Sequence, residues 1–211
     1  FKGKRKSEAV NVLVYGGDGG LADIGFSGLS MALSYDYANL LYVMYDNESY
    51  ANTGIQSSST TPFGSSTTFT PSGKVKPIGN ERLKKNVALI AASHPSVKYV
   101  ATASLSHPMD LMNKVRTALT SGRPSFVHLL VPCPKGWIYP PEETIEVARL
   151  AVDTGMWVLW EYREGSLRIT AKPTKRRDVR EYIQKQGRFA HLRENEEALH
   201  YVQATVDEEW R

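Results

Sequence analysis

A carboxylate set in the middle of a glycine turn is the first feature of this sequence that could do chemistry. Gly16-Gly17-Asp18-Gly19-Gly20 follows a short apolar run, and Asn47 stands 29 positions beyond Asp18. Glycines let the backbone turn tightly and approach a ligand with no Cβ in the way. Gly17, Gly19 and Ala22 satisfy a loose dinucleotide fingerprint, Gly-x-Gly-x-x-Gly/Ala. A carboxylate at Asp18 would repel a pyrophosphate there unless a cation lay between them. A hard divalent ion such as magnesium takes oxygen ligands from one or two protein groups and from substrate phosphates. The metal reading therefore accounts for Asp18, which the dinucleotide reading must excuse. The plainest alternative leaves Asp18 as an ordinary member of a glycine-rich turn.

The second candidate is Cys133, the only cysteine, in Val131-Pro132-Cys133-Pro134-Lys135-Gly136-Trp137. One thiol excludes an internal disulfide, an internal four-cysteine zinc site and a self-contained iron–sulfur cluster. A lone cysteine is ordinarily a small buried hydrophobe, but this one stands at the carboxyl end of an expected strand. His94, His107, His128, His191 and His200 show no metal-ligand spacing, and no Gly-x-Ser-x-Gly elbow is present, so zinc chemistry and serine hydrolysis are not expected. The Ser-His-Pro triplets at 93 and 106 read as helix-start or turn features.

The elements that must hold these residues follow from periodicity. Residues 11–15 are a short apolar run bounded by glycines and read as a buried strand. Residues 23–33, with Ile24, Leu29 and Leu33 near helical spacing, predict a helix with Asp23 as N-cap. Residues 40–45 predict a second strand, ending at Asp46-Asn47. This is one βαβ unit, whose parallel strands end on one edge, the edge where open α/β sheets bind ligands. Asp18 and Asn47 both fall there.

Beyond it, residues 52–77 lack periodicity, and eleven of the sixteen residues from 57 to 72 are Ser or Thr. Composition alone suggests a tether, yet the segment leaves a strand at the ligand edge, which favours an ordered active-site loop. Residues 81–92 predict a helix, 99–103 a strand, 108–119 a helix begun at Ser106 or His107, 125–131 a buried strand and 140–152 a helix with Pro near its first turn. Residues 157–162 and 166–171 flank Arg163-Glu164-Gly165 as a hairpin. Residues 178–186 and 194–210 predict helices. The expected fold is α/β: a doubly wound, mostly parallel sheet with helices on both faces, plus a C-terminal hairpin and helices outside the minimal sheet.

At 211 residues, 41% hydrophobic and 23% charged, the chain can bury a real core. A net charge of +4 is mild, and its basic clusters at 2–6 and 172–180 come without aromatic interleaving, so nucleic-acid binding is not expected. No stretch approaches the roughly 20 apolar residues of a membrane span.

Gly17-Asp18-Gly19, then 26 residues, then Asp46-Asn47 resembles the thiamine diphosphate motif, which opens Gly-Asp-Gly and closes on an Asn about that distance on. Gly-Gly-Asp-Gly-Gly-Leu-Ala-Asp-Ile-Gly at 16–25 and Tyr-Asp-Asn-Glu-Ser-Tyr-Ala-Asn-Thr-Gly-Ile-Gln at 45–56 resemble the β subunits of the 2-oxoacid:ferredoxin oxidoreductases, the pyruvate-acting branch in particular. The likeness continues through Ser57, residues 61–64 and Ser72-Gly73-Lys74, strongly over about residues 10–140. Because the chain opens on Phe1, a fragment lacking the front third of such a subunit is expected.

The resemblance implies a thiamine-diphosphate-binding fold over 1–140 and, over 141–211, an extension packed on that domain and on partner subunits. It implies magnesium held by Asp18, Asn47 and the backbone carbonyl of Ser49. Gly17, Gly19, Gly20 and Asn52 would line the cofactor, and Asn52 and Thr53 would stand near the reacting carbon. It makes Cys133 the fourth ligand of a 4Fe-4S cluster, the other three coming from the absent front third. The implied reaction is oxidative decarboxylation of pyruvate, or its reverse, with oxalate, phenylglyoxylate or branched 2-oxo acids as the alternative substrates of related subunits. Electrons pass through the cluster to ferredoxin, and coenzyme A takes the acyl group. Partners would be α, γ and ferredoxin-like δ subunits or fused equivalents, in the cytoplasm, with no nucleic acid and no membrane. Two rivals stay open: a thiamine-dependent decarboxylase or synthase without electron transfer, and a non-catalytic or nucleotide-binding α/β module.

Overall fold

The computed structural model describes residues 10–36 and 39–210. The first turn sits between β1 (Val12–Gly17) and a π-helical segment (Gly19–Ile24) that leads into α1 (Phe26–Ser34). β2 (Leu40–Asp46) then returns parallel to β1, with Val12 opposite Leu40 and Gly17 opposite Tyr45. β3 (Tyr99–Ser104) and β4 (Ser125–Leu130) are also parallel to them, in the order β1-β2-β4-β3. β4 is central, so the carboxyl ends of β1, β2 and β4 share one edge.

Alternation along these strands sends successive side chains to opposite faces. Leu29 and Leu33 of α1 and Val87 and Ala91 of α2 (Val87–Ala92) pack with Met44, Val100 and Phe126 on one face. Leu41, Val43, Ala101 and Val127 pack with Leu111, Val115 and Ala118 of α3 (Pro108–Leu119) on the other. Helices on both faces of a largely parallel sheet are the doubly wound architecture expected. The third cluster gathers Leu130 and Trp137 with α5 (Thr144–Asp153), α6 (Val179–Gln184) and α7 (Glu196–Glu209), over the one-turn α4 (Pro134–Trp137).

Several boundaries differ from the sequence reading, each for a local reason. The helix expected over 23–33 is broken: Gly25 N–H bonds the Gly20 carbonyl at 2.7 Å, a π-type closure, and α1 starts only at Phe26. Asp23 caps nothing; its Oδ2 accepts from Tyr50 OH (3.1 Å) and Ser59 N–H (3.0 Å). Ile24, one of the three apolar positions whose spacing predicted that helix, is 81% exposed. The helix expected from Glu81 begins at Val87, because the Asn86 side chain caps Leu89 N–H and Lys85 N–H bonds the Ser59 carbonyl at 2.8 Å. The 140–152 helix is a 3₁₀ turn (Pro141–Glu143) followed by α5. The hairpin of β5 (Leu159–Arg163) and β6 (Ser166–Ala171) turns on Glu164 and Gly165, both at positive φ. It lies within the sheet rather than outside it, since β5 pairs antiparallel with β3. His107 occupies the N-cap position of α3, as its triplet suggested. The basic cluster at 2–6 lies outside the described residues.

Among the described residues no helix is long and apolar enough to cross a membrane.

Candidate functional site

Asp18 is the N-cap residue of the π-helical segment and is 1% exposed. Its Oδ2 accepts from Ser58 Oγ at 2.5 Å and from Thr60 Oγ1 at 3.1 Å. Thr60 Oγ1 also lies 2.8 Å from Asp46 Oδ1, so a single hydroxyl hydrogen serves two buried carboxylates. Asp46, at the end of β2, is further held by Lys84 Nζ at 2.9 Å and by His128 Nε2 at 2.8 Å. Glu48 shares Lys84 at 2.6 Å and takes Arg188 Nη2 at 2.7 Å.

The charges of this network do not balance. Lys84 and Arg188 supply two cations against the carboxylates of Asp18, Asp46 and Glu48, and burial holds His128 below its usual range, in the neutral form. Burial also opposes ionisation of Asp46, but Lys84 and the His128 N–H outweigh it and hold that carboxyl well below the carboxylate range. Asp18 carries the remainder: burial first, and the Asp46 charge second, push its carboxyl up to about 7. A buried carboxylate left to take up a proton is what a bound cation would relieve.

The neighbouring strand end supplies more oxygen. Asn47 Oδ1 accepts from Ser49 N–H (3.2 Å) and Ser49 Oγ (3.3 Å), and the Asn47 carbonyl accepts from Trp137 Nε1 at 2.8 Å. Glu48 between them has φ 62°, a left-handed conformation uncommon for a non-glycine residue. On the glycine turn, a Cβ on Gly19 would overlap the Tyr50 ring, whereas a Cβ on Gly20 meets nothing within 4 Å. Gly20 therefore faces open space, at the start of a helical segment whose first amides lack intrahelical partners.

Asn52 and Thr53 lie in the exposed turn that follows, closed by Tyr50 and Gln56; Thr53 Oγ1 donates to Gln56 Oε1 at 2.5 Å. The Ser/Thr-rich loop is ordered against the site through Ser58 and Thr60, and through Asn80, which donates to the Thr61 and Pro62 carbonyls. Cys133 is half-buried, and its Sγ accepts from Gly136 N–H at 3.3 Å. It stands just past β4, whose last pairing continues as Val131 N–H to the Asp46 carbonyl at 2.8 Å. Among the described residues no group of three His, Cys, Asp or Glu side chains could hold a metal alone.

Residues 3–129 match the family model described as the thiamine pyrophosphate enzyme, C-terminal TPP binding domain. Over 207 residues the chain is 49% identical to the pyruvate synthase subunit PorB of Methanocaldococcus jannaschii, covering 98% of this chain and 68% of that one. The chain belongs to the β-subunit family of the 2-oxoacid:ferredoxin oxidoreductases. Other members are the PorB of Thermotoga maritima, 45% identical over 94% of this chain and 61% of that one, and the ketoisovalerate oxidoreductase subunit VorB of Pyrococcus abyssi, 42% identical over 96% and 64%. A 2-oxoglutarate:ferredoxin oxidoreductase from Magnetococcus marinus shares the fold, with a TM-score of 0.51 at 23% identity over 66% of this chain and 52% of that one.

Thiamine diphosphate is the cofactor of such β subunits, and the residues present fit it. The unbalanced Asp18 suits a magnesium ion, and the open space at Gly20 suits a diphosphate. The sequence reading missed Ser58, Thr60, Lys84, His128 and Arg188 as members of the site. Only His128 carried a signal, a polar residue inside the buried strand run Ser-Phe-Val-His-Leu-Leu.

Proposed function

We propose that this chain is the β subunit of an oxidoreductase that decarboxylates pyruvate oxidatively, or runs the reverse synthesis, with thiamine diphosphate, coenzyme A and ferredoxin. The observation that carries this reading is Asp18, a buried carboxylate with too little positive charge around it, at the mouth of a glycine turn on the ligand edge. In this reading Asp18, Asn47 and the Ser49 carbonyl hold magnesium, Gly17, Gly19, Gly20 and Asn52 border the diphosphate, and Thr53 and Asn52 face the substrate. When bound, thiamine diphosphate supplies the electron sink for loss of carbon dioxide. Ser58 and Thr60 then fix the Asp18 carboxylate, and Lys84 and His128 keep Asp46 from competing for the ion.

Cys133 gives one thiolate to a 4Fe-4S cluster, which needs three more from outside this chain. The α, γ and ferredoxin-like δ subunits, or fused equivalents, complete the enzyme in the cytoplasm, and residues 141–211 offer them a surface. The 42% identity to a ketoisovalerate oxidoreductase subunit supports branched 2-oxo acids as the second substrate class.

The test is electron paramagnetic resonance of the intact complex, purified without oxygen, after pyruvate and coenzyme A are added with and without magnesium thiamine diphosphate. A reduced cluster signal that needs the cofactor and is lost in Asp18→Ala is the expected result. Cofactor binding with no cluster reduction by any 2-oxo acid would favour a thiamine enzyme without electron transfer.

A further inference from the structure

We infer that Arg188 is a positioning residue for the cofactor turn, acting on residues 47 and 48 through Trp137 and Glu48; this rests on the thiamine diphosphate reading above. Arg188 lies in the 3₁₀ segment Gly187–Leu192, far along the chain from the turn, and is 2% exposed. Its Nη2 sits 2.7 Å from the Glu48 carboxylate and donates to Tyr182 OH at 3.2 Å, while Nε donates to Gln186 Oε1 at 2.8 Å. The guanidinium carbon Cζ lies over the Trp137 ring, 3.7 Å from its centre. That indole in turn donates to the Asn47 carbonyl at 2.8 Å. One guanidinium thus grips two adjacent residues, Glu48 directly and Asn47 through the indole.

The turn needs gripping. Left-handed backbone at a non-glycine residue is strained and persists only when its surroundings over-determine it. At Glu48 the backbone is tied on both sides, its N–H to Asp46 Oδ1 at 2.8 Å and its carbonyl to Thr61 Oγ1 at 2.7 Å; its Oε1 accepts from Lys84, and its buried Oε2 has no hydrogen-bond donor and is held by the charge of Arg188 alone. Stability alone does not call for this device, since a buried ion pair does about as well as apolar packing in its place. A planar fork that pairs and stacks at once fixes direction, which an ammonium cannot do. Gly187 sets the fork in place: its N–H bonds the Ile138 carbonyl at 3.0 Å, and a Cβ there would come within 2.7 Å of the Ile138 side chain.

The experiment uses the intact complex, stripped of cofactor, carrying Arg188→Lys or Glu48→Gln, each titrated with magnesium and thiamine diphosphate at equilibrium. Arg188→Lys keeps the charge and loses the fork and the stack. Half-saturation is expected to rise roughly ten- to a hundredfold, with KM for the 2-oxo acid unchanged and tryptophan fluorescence altered before cofactor is added. Glu48→Gln should act in the same direction, and the double variant should be little worse than either, because both cut one link. Native cofactor affinity in a folded Arg188→Lys complex overturns the inference. So does failure of both variants to assemble at any cofactor concentration, which would make Arg188 a folding residue. A native complex that binds no thiamine diphosphate overturns the cofactor reading itself.

Discussion

At the scale of residues, Asp18 sets the behaviour of the site. Its carboxyl is pushed from the ordinary 3.8 up to about 7 by burial and by Asp46. Between those values the native chain keeps a proton that the unfolded chain has released, so stability without cofactor falls as pH rises through this window, by about 4 kcal/mol in all. The cofactor-free complex should therefore melt at a higher temperature at pH 6 than at pH 8. Asp18→Asn should flatten that slope, raise the melting temperature at pH 8 and abolish further stabilisation by magnesium thiamine diphosphate. Thermal melts with and without cofactor check all three, and a slope that survives the substitution would place its source elsewhere. Asp18 and Asn47 were legible from residue type and spacing. Lys84 was not, because in Glu-Arg-Leu-Lys-Lys it reads as one more solvated helix position.

Elements explain why the turn tolerates its neighbours. Tyr50 lies against Gly19 and is anchored through its hydroxyl to Asp23, so the ring cannot swing away from an added methyl. Gly19→Ala is expected to cost about 1–3 kcal/mol of stability through overpacking. Gly20→Ala meets no protein atom and should leave the melting temperature unchanged while weakening thiamine diphosphate binding. Melting curves and a cofactor titration on both variants separate the two. Equal loss of stability would mean that Gly20 also faces protein. The strands were foreseeable from apolar runs and glycine boundaries. The π-helical break before α1 was not, because it depends on where Asp23 and Gly25 find hydrogen-bond partners, and those lie in the Ser/Thr loop.

For the whole molecule, the sheet brings the ends of β1, β2 and β4 together, so that the turn after β4 carries Cys133 beside the loop that follows β2. The methyl that a Cβ would add at Gly136 falls 3.3 Å from Ile55 and 3.4 Å from Cys133 Sγ, which measures how close that loop comes. In the proposed reading, a 4Fe-4S cluster at Cys133 takes its other three thiolates from outside residues 1–211, which hold one cysteine. Cys133→Ser should leave the melting temperature and thiamine diphosphate affinity unchanged and remove the reduced-cluster signal from the complex. A surviving signal would show that the thiol is no ligand.

The sequence by itself determined the architecture of the core unit and the edge that carries the candidate site. Both follow from local rules: apolar period, glycine freedom and the one-sided ending of parallel strands. Only the tertiary structure decided which charges face Asp18 and what holds Asn47. Ser58, Lys84, His128 and Arg188 reach the site from four separate segments, and buried ions are paired by long-range packing, which leaves no periodic trace in the chain.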